Sequence, residues 1–178
     1  MSLDLVGRSF RRDRPNELWM TDITEHPTRE GKVYCCVVLD AFSRFVVGWS
    51  IDSTQTTLLV LNALGMATQR RQHRDGLVID SDRGVHFTSW AFSRKVRDAG
   101  VAPSMGAIGS PYDNAVVESF WGRMQVELFN RRRWKTRIAL ASAIHDYIEH
   151  FHNTRRRHSA LGMLTPAEAE AQHAHAER

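Results

Sequence analysis

The alternation of apolar and polar residues predicts three consecutive strands near the start of the chain. Over residues 17–24, Leu18 and Asp22 fall on the same face of the first strand, because successive side chains of a strand point to opposite faces. The apolar run over 33–39 is typical of a strand covered on both faces, and a third apolar run follows over 45–51. The short connections between these runs predict an antiparallel meander.

Helical and strand patterns alternate after the meander. The predicted elements are a helix from Ser53 or Thr54 to about Arg71, a strand over 77–79, a helix over 90–99, a strand over 101–103, a helix within 109–125, a helix over 137–152 and a short helix from Thr165. This order predicts an α/β fold with a mixed five-stranded sheet flanked by helices, in which three antiparallel strands come first and parallel strands follow.

The length of 178 residues fits one domain, and no repeat or internal linker divides it. Residues 1–15 are basic and lack periodicity, so they are predicted to form an N-terminal arm. Residues 16–170 are predicted to form the folded core, and 171–178 a flexible tail.

The net charge of +4 is unevenly distributed along the chain. Between Ser119 and His158 there are nine Lys or Arg residues against three acidic ones. A polyphosphate partner would require such a basic stripe, although a solvated helical surface explains it equally well.

No apolar run approaches the roughly 20 residues needed to cross a bilayer, and no hydrophobic signal segment opens the chain. Cys35 and Cys36 are adjacent within a predicted strand and so point to opposite faces, which argues against a disulfide between them. We therefore predict a reduced, intracellular protein without a membrane partner.

Three carboxylates stand out from this pattern. Asp22 lies in the middle of a strand, Asp82 directly follows one, and Glu118 lies on a helix beside small or polar neighbours. An isolated helical glutamate is usually just solvated, but the first strand and the strand over 77–79 can lie side by side and bring the two aspartates together. Clustered carboxylates raise one another's pKa unless a cation offsets their charge, and oxygen ligands suit Mg²⁺ or Mn²⁺. Two such ions can clamp the attacking and leaving oxygens of a phosphodiester.

Several motifs occur together with these carboxylates. They are RPNELWMTDIT at 14–24, DAFSR at 40–44, SDRG at 81–84 with FTS at 87–89, PYDNAVVESF at 111–120 and NTRRRHSALG at 153–162. In these motifs, and in the 35 residues between Asp82 and Glu118, the chain resembles the catalytic domain of bacterial orfB-type insertion-sequence transposases, relatives of retroviral integrases in the DDE superfamily. The resemblance extends from about residue 5 to residue 168.

The resemblance implies an RNase H-like fold and a metal-dependent polynucleotidyl transferase. Asp22 would bridge two Mg²⁺ or Mn²⁺ ions, while Asp82 and Glu118 would each complete the ligands of one. Water or a DNA 3′-hydroxyl would attack a phosphodiester, giving strand cleavage and strand transfer. The implied partners are the terminal repeats of the element, target DNA and a second copy of the chain, in the bacterial cytoplasm at the nucleoid. The alternatives are a DNA-binding remnant with weak catalysis and an RNase H-like nuclease.

Two positions depart from the family's usual pattern. Asp80 replaces a histidine, and it either adds a carboxylate beside the site or faces solvent. Gln125 replaces a lysine seven residues after the glutamate, on the same helical face, so one electrostatic contact to DNA is expected to be missing. The candidate DNA-binding residues are Tyr112, Asn114, Gln125, Arg155, Arg156 and Arg157.

Other prominent residues are predicted to be structural. Asp40 and Arg44 are interpreted as shaping the hairpin, and Arg123 as pointing away from Glu118 around the helix. The aromatic residues interpreted as core are Trp49, Trp90 and Phe120.

Overall fold

The computed structural model describes residues 11–72, 75–105 and 115–178. Its five strands are β1 (Leu18–Thr28), β2 (Gly31–Asp40), β3 (Val46–Asp52), β4 (Val78–Ser81) and β5 (Ala102–Met105). They form one sheet in the order β3-β2-β1-β4-β5. The pairs β3–β2 and β2–β1 are antiparallel, whereas β1–β4 and β4–β5 are parallel. The predicted mixed sheet is therefore confirmed.

Five α-helices accompany the sheet in the described part of the chain. They are α1 (Thr57–Arg70), α2 (Trp90–Asp98), α3 (Ala115–Glu127), α4 (Arg137–Asp146) and α5 (Pro166–Ala176). A π-helical turn, Tyr147–His152, continues α4, which together with it spans the helix predicted over 137–152. Short 3-10 turns occupy Phe129–Arg131 and Ser159–Leu161. None of these helices is long and apolar enough to cross a membrane.

Each face of the sheet has its own hydrophobic core. Helices α1 and α2 pack on one face with Trp19 of β1, and helices α3 and α4 pack on the other with Leu18 and Met20. All three β1 residues are fully buried, as expected where alternate side chains enter two cores. Helix α1 packs so close to β3 that a Cβ on Gly48 would collide with the backbone of Ala63, so this position requires glycine.

Three predicted details differ from the structure. Helix α1 starts later, after Thr56, because the Asp52 side chain accepts the Ser53 N–H at 2.6 Å and closes a turn there. Trp90 is 69% exposed, so its assignment to the core was wrong, since the buried side of α2 carries Phe92 and Val96.

The predicted flexible tail over 171–178 begins inside α5, which continues to Ala176. Its alanine-rich sequence favours a helix, and a capping box between Thr165 and Glu168 fixes its start. Of the predicted arm, residues 11–15 carry no helix or strand, and the remainder lies outside the described residues.

Candidate active site

Strands β1 and β4 place the two aspartates at neighbouring positions. Thr21 of β1 pairs in parallel with Ser81, the last residue of β4. Asp22 and Asp82 directly follow these paired residues, so they lie at the same level of the sheet. The adjacency predicted from the order of strands is thus present in the fold.

The third carboxylate, Glu118, lies on helix α3, which packs on the face of the sheet that carries Asp22. Its buried residues Val117, Phe120 and Met124 fix it to the core that contains Met20. Glu118 is exposed and lies one turn before Trp121, whose indole Nε1 donates a hydrogen bond of 3.1 Å to Asp22 Oδ2. Helical spacing alone places Trp121 with Val117, Phe120 and Met124 on the apolar side of α3 that faces the core. Its spacing of three residues from Glu118 was the available signal that it borders the carboxylates.

The electrostatics of Asp22 indicate that the three carboxylates interact. Burial and, to a smaller extent, the negative charges of Asp82 and Glu118 raise the pKa of Asp22 from 3.8 to about 6. Hydrogen bonds from the Ile23 N–H and from Trp121 oppose this shift. The ionised form of Asp22 is therefore less stable in the folded protein than in an exposed aspartate, and a nearby positive charge would offset this penalty.

The local turn also orients Asp82. Its Oδ1 accepts a hydrogen bond of 2.8 Å from the Gly84 N–H. A Cβ at position 84 would lie 2.7 Å from the same oxygen, so glycine permits this tight turn. Asp22, Asp82 and Glu118 offer only oxygen donors around a repulsive centre, and such a donor set fits a hard divalent cation.

The triad is not drawn together to the spacing of metal ligands. Among the described residues, one group of three candidate ligands has its donor atoms within 4.8 Å of one another, and it consists of His145, Asp146 and His150. Assembly of the acidic site around a cation would therefore require rearrangement of its side chains.

The two departures from the family pattern have different surroundings. Asp80 is only 4% exposed, so the alternative that it faces solvent was wrong. It pairs with Met20 in the sheet and shares the face of Asp22, because residues in register on parallel strands point the same way. Gln125 is exposed, and its side-chain nitrogen donates to Asn130 Oδ1 at 2.6 Å.

The predicted arginine cluster is partly engaged within the protein. Arg156 forms a bidentate ion pair with Glu127, with nitrogen–oxygen distances of 2.6 and 2.8 Å. Arg157 pairs with Glu168 at 3.1 Å, and Arg155 is exposed. The remaining candidates, Tyr112 and Asn114, lie outside the described residues.

A basic pocket lies beside α3 and was not predicted from the sequence. This arginine pocket has a volume of about 470 Å³, and its charged or titratable lining residues are Arg44, Arg123, Arg156, Arg157 and His158. Within the described part of the chain, the buried donor atoms Arg44 Nη1 and Arg123 Nε have no hydrogen-bond partner. Burial and mutual repulsion lower the pKa of both guanidinium groups. Burial and the neighbouring arginines also lower the pKa of His158, to about 4, so it is neutral at physiological pH.

Arg44 lines this pocket, and its backbone adopts a positive φ of 64°, which sequence patterns did not predict. Asp40 does shape the hairpin as predicted, since its carboxylate accepts the backbone N–H groups of Phe42 and Ser43. The interpretation of Arg44 as a hairpin residue alone was therefore incomplete.

The chain matches the integrase core domain family over residues 12–111, and a second integrase core domain model matches residues 99–166. The chain belongs to the integrase core domain family. Its relatives include the transposase for insertion sequence element IS904 of Lactococcus lactis subsp. lactis, which is 36% identical over 167 residues. That alignment covers 94% of this integrase core domain and 66% of the relative.

Two further relatives show the same level of identity. The transposase for insertion sequence element IS629 of Shigella sonnei is 36% identical, with 94% of this chain and 56% of the relative covered. Transposase InsF for insertion sequence IS3A of Escherichia coli is also 36% identical, with 96% and 59% covered. The chain thus spans about 56–66% of the length of these transposases. The predicted relationship to insertion-sequence transposases is confirmed.

Solved structures support the same fold. The simian T-cell lymphotropic virus intasome in complex with PP2A regulatory subunit B56 gamma matches with a TM-score of 0.72, 18% identity, and coverage of 90% of this chain and 56% of that chain. The HTLV-2 integrase catalytic core domain in complex with magnesium matches with a TM-score of 0.65 and 19% identity, covering 89% of this chain and 98% of that one. The predicted RNase H-like fold is confirmed.

Proposed function

We propose that this integrase core domain is the catalytic part of a DNA transposase that cleaves phosphodiesters and joins DNA strands. The observation that carries the proposal is the placement of Asp22 and Asp82 at one level of adjacent strands, with Glu118 on the helix that packs on the same face; burial, with smaller contributions from the charges of Asp82 and Glu118, raises the pKa of Asp22 to about 6. Perturbed carboxyls of this kind cluster at functional sites. The relatives are named as transposases, which supports the assignment of these carboxylates to the cleavage and joining of DNA strands.

Each residue of the site has a distinct role in this proposal. Asp22, Asp82 and Glu118 would together hold divalent cations, Mg²⁺ or Mn²⁺, with Asp22 as the ligand common to two ions. When bound, the ions supply Lewis acidity and offset the charge of the phosphoryl oxygens. Trp121 positions Asp22 through its indole hydrogen bond, and the Gly84 N–H positions Asp82.

The proposed reaction proceeds in two phosphoryl transfers. Water first attacks the phosphodiester at the end of the element, and the leaving oxygen takes up a proton to give a free 3′-hydroxyl. That hydroxyl then attacks a phosphodiester of the target, forms the new bond and releases a target 3′-oxygen. Both ends of an element must be processed together, so the active species is proposed to contain at least two copies of the chain.

The proposal is tested by incubating the protein with labelled element ends, target DNA and Mg²⁺ or Mn²⁺. We expect cleaved and joined products from the wild type, and a loss of at least about a thousandfold for Asp82→Asn and for Glu118→Gln. Joined products from both variants would refute the assigned roles. Binding of DNA without Mn²⁺ binding by calorimetry would favour an inactive remnant, and cleavage of RNA–DNA hybrids without joining would favour a nuclease.

We further propose that the arginine pocket holds a phosphate of the DNA backbone. Ser119 lines it and directly follows Glu118 on α3, so the pocket flanks the acidic site. Among the described residues, Arg44 Nη1 and Arg123 Nε have no hydrogen-bond partner, and burial together with repulsion from a neighbouring arginine lowers the pKa of each guanidinium, which a bound anion would counteract.

Arg123→Gln is expected to weaken DNA binding by about tenfold and to reduce the slope of log K against log salt by about one. Anisotropy titrations at several salt concentrations measure both quantities. The matched control is Arg94→Gln on α2, because Arg94 contacts Trp90 and Asp98 on the opposite side of the sheet. Equal effects of the two substitutions would exclude a specific contact at Arg123.

Gln125→Lys is expected to tighten DNA binding severalfold at low salt and to increase the salt dependence. Residue 125 is exposed and lies two turns after Glu118, where the added charge would reach a DNA backbone passing the acidic site. Gln125→Met is the uncharged control in the same titration. Unchanged affinity of the lysine variant across the salt series would contradict the proposed DNA path.

A further inference from the structure

The π-helical turn after α4 brings two histidines to the same side of the helix. In a regular α-helix, side chains five residues apart point about 140° away from each other. The wider turn over Tyr147–His152 reduces that separation, and the ring centroids of His145 and His150 lie 5.6 Å apart. Interrupted helices of this kind often accompany functional sites.

Asp146 completes a group of three ligands with these histidines. His145 Nδ1 lies 3.1 Å from Asp146 Oδ1, and one donor atom from each of the three residues lies within 4.8 Å of the other two. This spacing is already close to that of ligands on one ion. It contrasts with the acidic triad, which does not reach it in the described structure.

Neighbouring residues hold this part of the turn in place. The Trp49 indole packs edge-on against His145 with centroids 5.5 Å apart. Its Nε1 donates to Glu149 Oε1 at 2.7 Å, and Arg70 Nη1 donates to the same oxygen at 2.7 Å. The cluster is therefore fixed to β3 and to the end of α1, away from Asp22 on β1.

The ligand types identify the class of metal. Two imidazole nitrogens and one carboxylate oxygen suit Zn²⁺, Co²⁺ or Ni²⁺, whereas Mg²⁺ prefers oxygen ligands. The three residues are exposed, so water can complete the coordination sphere. We infer that His145, Asp146 and His150 form a surface site for a transition-metal ion, and that the ion bridges the junction between α4 and the π-helical turn.

Titration with Co²⁺ and Zn²⁺ in excess Mg²⁺ tests this inference, because Mg²⁺ competes for the oxygen ligands of the acidic triad. We expect one equivalent of Co²⁺ to produce visible d–d absorption and to quench the fluorescence of Trp49, with the quenching reduced in Trp49→Phe. His145→Ala and His150→Ala should each weaken binding by at least about tenfold. Asp82→Asn should bind Zn²⁺ like the wild type, which separates this result from that of the proposed transposase activity.

The exposed tail histidine His175 supplies the control. His175→Gln on α5 should leave Co²⁺ binding unchanged. Circular dichroism and the milder variant His150→Asn distinguish loss of a ligand from loss of folding. Unchanged affinity in both His145→Ala and His150→Ala, or loss only in His175→Gln, would overturn the inference.

Discussion

Asp22→Asn is expected to abolish strand transfer and yet to stabilise the metal-free protein at pH 8. The pKa of Asp22 is raised from 3.8 to about 6 by burial and by the charges of Asp82 and Glu118. Because the folded-state pKa is the higher one, stability from this group is fully present below pH 3.8 and is lost as the pH rises through about 6. Asparagine avoids that loss and keeps an oxygen that can accept the Trp121 indole hydrogen bond. The gain is on the order of 2–3 kcal/mol at pH 8.

Urea unfolding at several pH values measures this gain. The difference between variant and wild type should be large at pH 8 and should decline toward zero as the pH falls below 3.8, where the aspartic acid is protonated in both the folded and the unfolded protein. Added Mg²⁺ should stabilise the wild type and leave the variant unchanged, because the variant lacks the shared ligand. Asp98→Asn on the exposed side of α2 is the control, and its stability should change little at either pH. A variant less stable than the wild type at pH 8 would contradict the inferred repulsion.

Asn153→Ala is expected to destabilise the fold by about 3 kcal/mol, because two buried backbone groups lose their partners. Asn153 is 1% exposed, and its side chain accepts from the Val46 N–H at 2.8 Å and donates to the Val46 carbonyl at 3.2 Å. Its own carbonyl accepts the Ala167 N–H at 3.0 Å, so this residue joins β3 to the start of α5. Chemical denaturation at neutral pH measures the effect.

A second substitution at this position separates hydrogen bonding from packing. Asn153→Asp has nearly the same shape but places a carboxylate oxygen against the Val46 carbonyl at neutral pH. Its stability should recover relative to the wild type near pH 4, where the protonated acid can donate to that carbonyl. Thr154→Ala, at an exposed neighbouring position, should cost less than about 0.5 kcal/mol. An Asn153→Ala variant as stable as Thr154→Ala would exclude the proposed bridge.

The sheet and the relative placement of the aspartates could be predicted because they depend on local periodicity and strand order. Alternation around Asp22 identified the face of β1, and the position of Asp82 after a short strand identified the neighbouring position. The family resemblance added the fold and the chemistry of the site. Helical periodicity within 109–125 had already placed Glu118 on the right element, α3.

The features that escaped prediction depend on contacts between distant segments. The bond from Trp121 to Asp22 joins residues 99 positions apart, and a helical pattern alone assigns Trp121 to the core. Arg44 lines the arginine pocket, and its backbone has a positive φ, which arginine seldom adopts. The π-helical turn departs from the regular α-helical spacing, so that spacing would have predicted the wrong direction for the His150 side chain. Such features arise from packing, and periodicity does not encode them.

Helix α3 is anchored at its last residue. There, Glu127 accepts hydrogen bonds from Arg156 and from the Tyr147 hydroxyl, the latter at 2.7 Å. Glu118 lies more than two turns earlier, next to Val117, which is fully buried in the core together with Phe120 and Met124. Sliding of the helix along its axis would break the hydrogen bonds at Glu127 and displace these buried side chains. The anchored backbone of α3 thus leaves rotation of the Glu118 side chain as the route by which this carboxylate approaches the aspartates.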